Sequence, residues 1–135
     1  MYSIGFFRPF RARHFLIGGD WGPENGLHEH HYRVEWVLQG PRLDNDGFLL
    51  DLVAVENLLD EAVAEVRDTT LNDHPAFKNL NPSVERLARF LSDRLVDGRS
   101  QWDPDRRLRS SVVKVFENEN AWASWSADLG GPESE

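Results

Sequence analysis

Four of the five histidines fall in the first quarter of the chain: His14, His28, His30 and His31. Imidazole titrates near neutrality and is a common metal ligand, so their spacing is where chemistry would begin. His28 and His30 are two residues apart at the start of a predicted strand, which turns both rings to one face. His14 ends the preceding predicted strand, which would lie antiparallel beside it. Three imidazoles converging from adjacent strands leave a fourth coordination position open, the layout of a catalytic rather than a structural zinc site. His31 points to the opposite face. The same spacing also fits histidines exposed or packed beside a hairpin, and a short His-x-His pair does not by itself choose between them.

Composition narrows the chemistry further. The protein has 135 residues and no cysteine, which excludes a disulfide scaffold, thiolate zinc fingers, iron–sulfur clusters and every cysteine nucleophile. Lys plus Arg number 15 against 23 Asp plus Glu, a formal net charge of −8. That balance argues against a broad nucleic-acid or anionic-membrane surface, which needs clustered cations. Hydrophobic residues at 40% and charged residues at 28% are enough for one buried core. Arg8, Arg11 and Arg13 interrupt the apolar N-terminal residues, so they hold no signal-peptide core. The longest apolar stretch, around Phe48 to Val55, is broken by Asp51 and is too short to span a bilayer. The expectation is a soluble cytoplasmic protein with neither nucleic acid nor membrane as partner.

The elements that must position these side chains read as ββααββ. Tyr2 to Leu16 is an apolar strand with a bulge or an edge position near Pro9. The cluster Gly18 to Gly26 is loop. His30 to Leu38 alternates as a strand and ends at Gly40-Pro41. Asp44 to Gly47 is a turn, and Asp51 caps a helix whose apolar positions are Val55, Leu58, Leu59, Ala62, Val63 and Val66. Asn81-Pro82 reads as the cap and first residue of a second helix, carried by Val84, Leu87, Ala88, Leu91 and Leu95 and closed near Gly98. Arg99 to Arg107 is polar loop. Val112 to Phe116 and Ala121 to Trp125 are closing strands joined by Glu117-Asn118-Glu119-Asn120. One α+β domain over residues 1–127 follows, an antiparallel sheet with both helices on one face and a disordered tail over 128–135. Its open sheet edges favour assembly of several copies.

Several segments resemble one family in order along nearly the whole sequence. Phe10-Arg11-Ala12-Arg13-His14 resembles its F-x-A-x-H strand, and Leu27 to Glu35 its L-H-G-H-N-Y-x-V-x strand. Gly47 to Leu52 resembles G-M-V-V-D-F, and Leu71-Asn72-Asp73 resembles L-N-D. Asn81 to Ala88 resembles N-P-T-x-E-N-L-A, and Val115-Phe116-Glu117 with Trp122-Ala123 and Trp125 resembles V-x-E-T-P-x-x-W-A-x-Y. The family is that of the 6-pyruvoyl- and 6-carboxy-tetrahydropterin synthases. The resemblance implies a tunnelling fold (T-fold) whose trimers close a twelve-stranded barrel and stack as hexamers, with pterin pockets between subunits. It implies Zn2+ held by His14, His28 and His30, with Glu117 anchoring the pterin ring. A carboxylate suits that anchor, because the pterin's exocyclic amine and adjacent ring N–H are parallel donors. Ser83 stands where a family Thr helps the pocket, and is equally placed to cap a helix.

Two family positions differ. The family's catalytic Cys, four residues before the first histidine of His-x-His, is Glu24 here. Its Asp-His pair, counted back from Leu71-Asn72, is Arg67 and Asp68, while His74 falls after that element. A free carboxylate is a weaker base than a thiolate, so taking a proton from carbon on the substrate suits Glu24 poorly. Removing an O–H proton acidified by zinc is within its reach. In a 7,8-dihydropterin that permits a retro-aldol step, releasing glycolaldehyde and leaving 6-hydroxymethyl-dihydropterin. A branch of the family with Glu in place of Cys is similar. The resemblance therefore implies a zinc-dependent lyase or synthase acting on the side chain of dihydroneopterin or its triphosphate, with Glu24 as base and Asp68 as a second catalytic candidate. The alternatives are a 6-carboxy- or 6-pyruvoyl-tetrahydropterin synthase-like activity, or a non-catalytic pterin- or purine-binding homologue.

Overall fold

Period-two alternation of apolar and polar side chains sets the sheet. In β1 (Tyr2–His14) and β2 (His28–Gly40), Phe10, Ala12, Tyr32, Val34, Trp36 and Leu38 are buried, while the residues between them are exposed or half-buried. The computed structural model describes residues 1–130. β3 (Ser110–Asn118) and β4 (Ala121–Asp128) complete a four-stranded antiparallel sheet in the order β1-β2-β3-β4. β1 pairs with β2 without interruption from Tyr2↔Gly40 to His14↔His28. Pro9 therefore sits on an edge strand, as expected, but without a bulge.

The helices lie between β2 and β3 in sequence. Asp51 accepts the Val53 N–H at 3.0 Å and starts α1 (Leu52–Ala64), whose Val55, Leu58, Leu59, Ala62 and Val63 turn into the core. α2 (Val84–Asp97) buries Leu87, Ala88, Phe90, Leu91 and Leu95 and lies over β3 and β4, while α1 lies over β1. The helices cover one sheet face only, the face that carries the His triad. A Cβ at Gly98 would stand 2.5 Å from Leu58 Cδ2, so the end of α2 approaches α1 closely enough that any side chain there would displace Leu58.

Three expectations need correction. The N-cap of α2 is Ser83, whose Oγ accepts the Arg86 N–H at 3.2 Å, because the Asn81 carboxamide is engaged with Ile17. The segment after Gly98 is not simply polar loop: it holds α3 (Arg99–Trp102), with Trp102 edge-on to Trp36 at a centroid distance of 5.2 Å. Nor does the ordered structure stop at residue 127. β4 runs to Asp128, and Leu129 is buried with its N–H donating to Arg109 O. Of the expected tail, 131–135 lie outside the described residues.

Candidate functional site

His14 and His28 are direct partners across β1 and β2, and His30 lies opposite Ala12. The three rings meet edge to face, with centroids 4.5 Å apart for His14–His28 and 4.9 Å for each pair with His30. His14 Nδ1 is 2.9 Å from Pro82 O and His28 Nδ1 is 2.8 Å from Gly26 O. A carbonyl can only accept, so each of these Nδ1 atoms carries the proton and each Nε2 presents a bare lone pair. The Nε2 atoms of all three rings are buried with no hydrogen-bond partner, and the ligand atoms of the group lie within 4.8 Å of one another. Buried ring nitrogens without partners, two of them acceptors, are unfavourable facing one another without a cation between them. The arrangement fits a divalent metal with three nitrogen ligands and an open fourth position. Burial lowers the pKa of His14, against the opposing pull of Pro82 O; the nearby His28 and His30 lower it further, so neutral imidazole is favoured.

Glu117 reaches this group through a defect in the sheet. The β3–β4 register runs Phe116↔Trp122 and then Asn118↔Ala121, so Glu117 has no partner on β4. Such a bulge re-aims the extra side chain. Its Oε1 lies 3.5 Å from His30 Nε2. A cavity of about 430 Å³ opens beside the pair, lined among others by His30, Arg33, Phe116 and Glu117. Tyr32, the next residue after His30 on the same face, stacks on Phe10 at 5.2 Å, and its ring centroid lies 5.5 Å from that of His30. Burial, with the carboxylates of Glu117 and Glu24 nearby, holds the proton on its hydroxyl well above the ordinary phenol range. Sequence reasoning missed Tyr32, although its position in the alternation two residues after His30 places it on this face.

Glu24 is exposed on the single 3₁₀ turn Gly22–Asn25, close enough to act electrostatically on the Tyr32 hydroxyl. Ser83 is occupied in capping α2. Its neighbour Pro82 serves the site instead, through the carbonyl that orients His14. Asp68 is elsewhere within one protomer. Its backbone is left-handed (φ 59°), its N–H donates to Arg11 O at the β1 edge, and it borders a cavity of about 350 Å³ with Arg11, His31 and Arg67. By the strand alternation, Arg11 and His31 belong to the face opposite the His triad. His74 offers no free nitrogen: Nδ1 accepts the Ala76 N–H at 3.0 Å, and Nε2 is 3.4 Å from Glu65.

Residues 3–128 match the family model described as 6-pyruvoyl tetrahydropterin synthase. The chain belongs to that family. Its members are lyases, and a pterin synthase-like function comes with membership. The Caenorhabditis elegans 6-pyruvoyl tetrahydropterin synthase is similar in structure, with a TM-score of 0.77 at 17% identity over 94% of this chain and 96% of that one. The Plasmodium falciparum 6-pyruvoyl tetrahydropterin synthase gives 0.74 at 14% identity, over 94% and 98%. A Plasmodium vivax 6-pyruvoyltetrahydropterin synthase, a catalytic-residue mutant with glutamate replaced by alanine, gives 0.72 at 14%, over 95% and 99%. These likenesses show a shared fold, the α+β T-fold expected from the motifs. No curated protein matches the sequence. Among the described residues, no helix is long and apolar enough to cross a membrane.

Proposed function

We propose that this family member is a zinc-dependent lyase of the dihydroneopterin side chain, forming 6-hydroxymethyl-dihydropterin and glycolaldehyde. The observation that carries the reading is the convergence of three buried Nε2 atoms without hydrogen-bond partners, with the Glu117 carboxylate beside them. His14, His28 and His30 would hold the metal, which when bound supplies Lewis acidity toward the side-chain hydroxyls. Glu117 accepts the two parallel N–H donors of the pterin ring and sets its orientation. Glu24 then takes the proton from the 2′-hydroxyl. The C1′–C2′ bond breaks, its electron pair passes into the conjugated ring C=N, and C1′ is protonated to leave the hydroxymethyl group. In the P. vivax relative the catalytic residue replaced by alanine is a glutamate, which supports a carboxylate in this role.

Assembly into a trimer or hexamer belongs to the same proposal, as does a cytoplasmic setting. Among the described residues, β1 and β4 each leave an edge without a strand partner. A second reading, a pterin-binding homologue without catalysis, is favoured by one observation: Asp68 and Arg67 stand at the β1 edge, away from the triad of their own protomer.

The deciding experiment is a product assay on zinc-loaded protein given dihydroneopterin and dihydroneopterin triphosphate separately, with Glu24→Ala in parallel. The expected outcome in the wild type is 6-hydroxymethyl-dihydropterin, with glycolaldehyde released from dihydroneopterin or its triphosphate ester from the triphosphate; turnover is abolished in Glu24→Ala, and zinc content and pterin binding are retained. Pterin binding without turnover in the wild type would leave the second reading standing.

A further inference from the structure

Beyond His14 the backbone runs on through Phe15, Leu16 and Ile17, and every backbone polar group of these residues is accounted for. Asn72 takes both groups of Phe15, accepting its N–H at 3.0 Å and donating to its carbonyl at 2.9 Å. Asn81 does the same for Ile17, at 2.7 and 3.2 Å. An extended backbone presents alternate residues to opposite edges, so Leu16 faces the other way. There its N–H donates to Glu24 O at 3.0 Å, and its carbonyl accepts from Asn25 Nδ2 at 3.1 Å. Two asparagines thus fix one edge of this short segment, and the turn bearing Glu24 is mounted on the other.

Within that turn Asn25 is the knot. Besides Leu16 O, its Nδ2 donates to Gly19 O at 2.9 Å, and its Oδ1 accepts the Trp21 N–H at 2.7 Å. The loop is folded tightly enough that a Cβ on Gly19 would stand 2.7 Å from the Trp21 ring. The Glu24 side chain itself is exposed, and no hydrogen bond restrains its carboxylate among the described residues. Its location is therefore set by its backbone, which the Asn25 side chain ties down together with the Leu16 N–H donated to Glu24 O.

We propose that Asn25 is the positioning residue for Glu24, fixing the backbone that carries this carboxylate through the Leu16, Gly19 and Trp21 contacts. This rests on the reading of Glu24 as the base. A carboxamide suits the task because it offers two donors and an acceptor from one short, rigid side chain. A displacement of about 1 Å in a reacting group can lower a rate about 100-fold. Asn25→Ala should therefore lower kcat by about that factor, with KM, zinc content and neopterin affinity unchanged. Asn25→Asp keeps the acceptor for Trp21 but loses both donations, and its kcat should lie between the two.

A second measurement needs no turnover. The protein has no cysteine, so Glu24→Cys creates a unique thiol whose titration is read from the pH dependence of iodoacetamide alkylation. In the zinc-loaded variant the midpoint is expected to be displaced from the free-thiol value of about 8.5, and adding Asn25→Ala should return it toward that value. Equal midpoints in the two backgrounds, or an unchanged kcat in Asn25→Ala while Glu24→Ala is inactive, would overturn the role of Asn25 alone. A loss of kcat matched by loss of zinc or of neopterin binding would also overturn it, as a structural effect. An unshifted thiol in the single variant, or full activity in Glu24→Ala, would overturn the Glu24 reading first and this proposal with it.

Discussion

Glu117 owes its reach to being the one residue at the end of β3 without a partner on β4. A regular ladder would pair it across to β4; the bulge instead frees the carboxylate to lie 3.5 Å from His30 Nε2. Its proposed task depends on both oxygens being acceptors. Glu117→Gln keeps one acceptor and sets an NH2 group against a ring donor. Hydrogen bonds to a charged group contribute about 1.5–3 kcal/mol, so neopterin affinity should fall roughly 10- to 100-fold. Zinc content, measured by atomic emission, should not change. Equal affinity in the two proteins would remove Glu117 as the anchor. At the same scale, the triad shows why spacing was not enough. The His-x-His pair places two rings on one face, but which nitrogens of His14 and His28 are bare depends on the Pro82 and Gly26 carbonyls.

At the scale of elements, the cap of α2 fell to Ser83, a role its sequence position also allowed, rather than to Asn81. Either residue type can cap a helix. The Asn81 carboxamide is the longer of the two and spans to both backbone groups of Ile17, which leaves the hydroxyl of Ser83 to begin α2. Ser83→Ala should cost about 1 kcal/mol of stability, as loss of an N-cap does, read as a shift in the urea midpoint. Neopterin affinity should be unchanged. A weakened pterin complex in a variant of normal stability would restore Ser83 to the pocket. The strands and both long helices were legible because their periods of two and 3.6 are dictated by the sheet face they share.

For the molecule as a whole, the closing element is a buried ion pair. Arg99 donates to Asp103 at 3.0 and 3.1 Å and also to the carbonyls of Leu108 and Leu129, while Asp103 accepts the N–H groups of Arg107 and Leu108. The pair pins the segment entering β3 to the segment leaving β4. Asp103→Ala leaves a buried guanidinium without its partner, and should cost about 3–5 kcal/mol in urea unfolding. Assembly belongs to this scale too. With no strand beside β1 or β4 at their outer edges among the described residues, light scattering should report a mass that is a multiple of three protomers. A monomer at micromolar concentration would sink the barrel and every site shared between copies.

The sequence alone determined the parts that rest on period and residue chemistry. These are the four strands, the two amphipathic helices, the face carrying His14, His28 and His30, the exclusion of thiol chemistry, and a family resemblance that the match over residues 3–128 bears out. Only the tertiary structure decided which long-range groups meet. It put Asp68 beside Arg11 rather than the triad, occupied both nitrogens of His74, drew Arg99 and Trp102 out of an apparent loop into the core, and tied the Glu24 turn to Leu16 through Asn25. The physical reason is one of range. Local sequence fixes dihedral preference and side-chain direction. Side-chain-to-backbone hydrogen bonds between distant residues leave no periodic trace, and they form only once packing has brought the partners within about 3 Å.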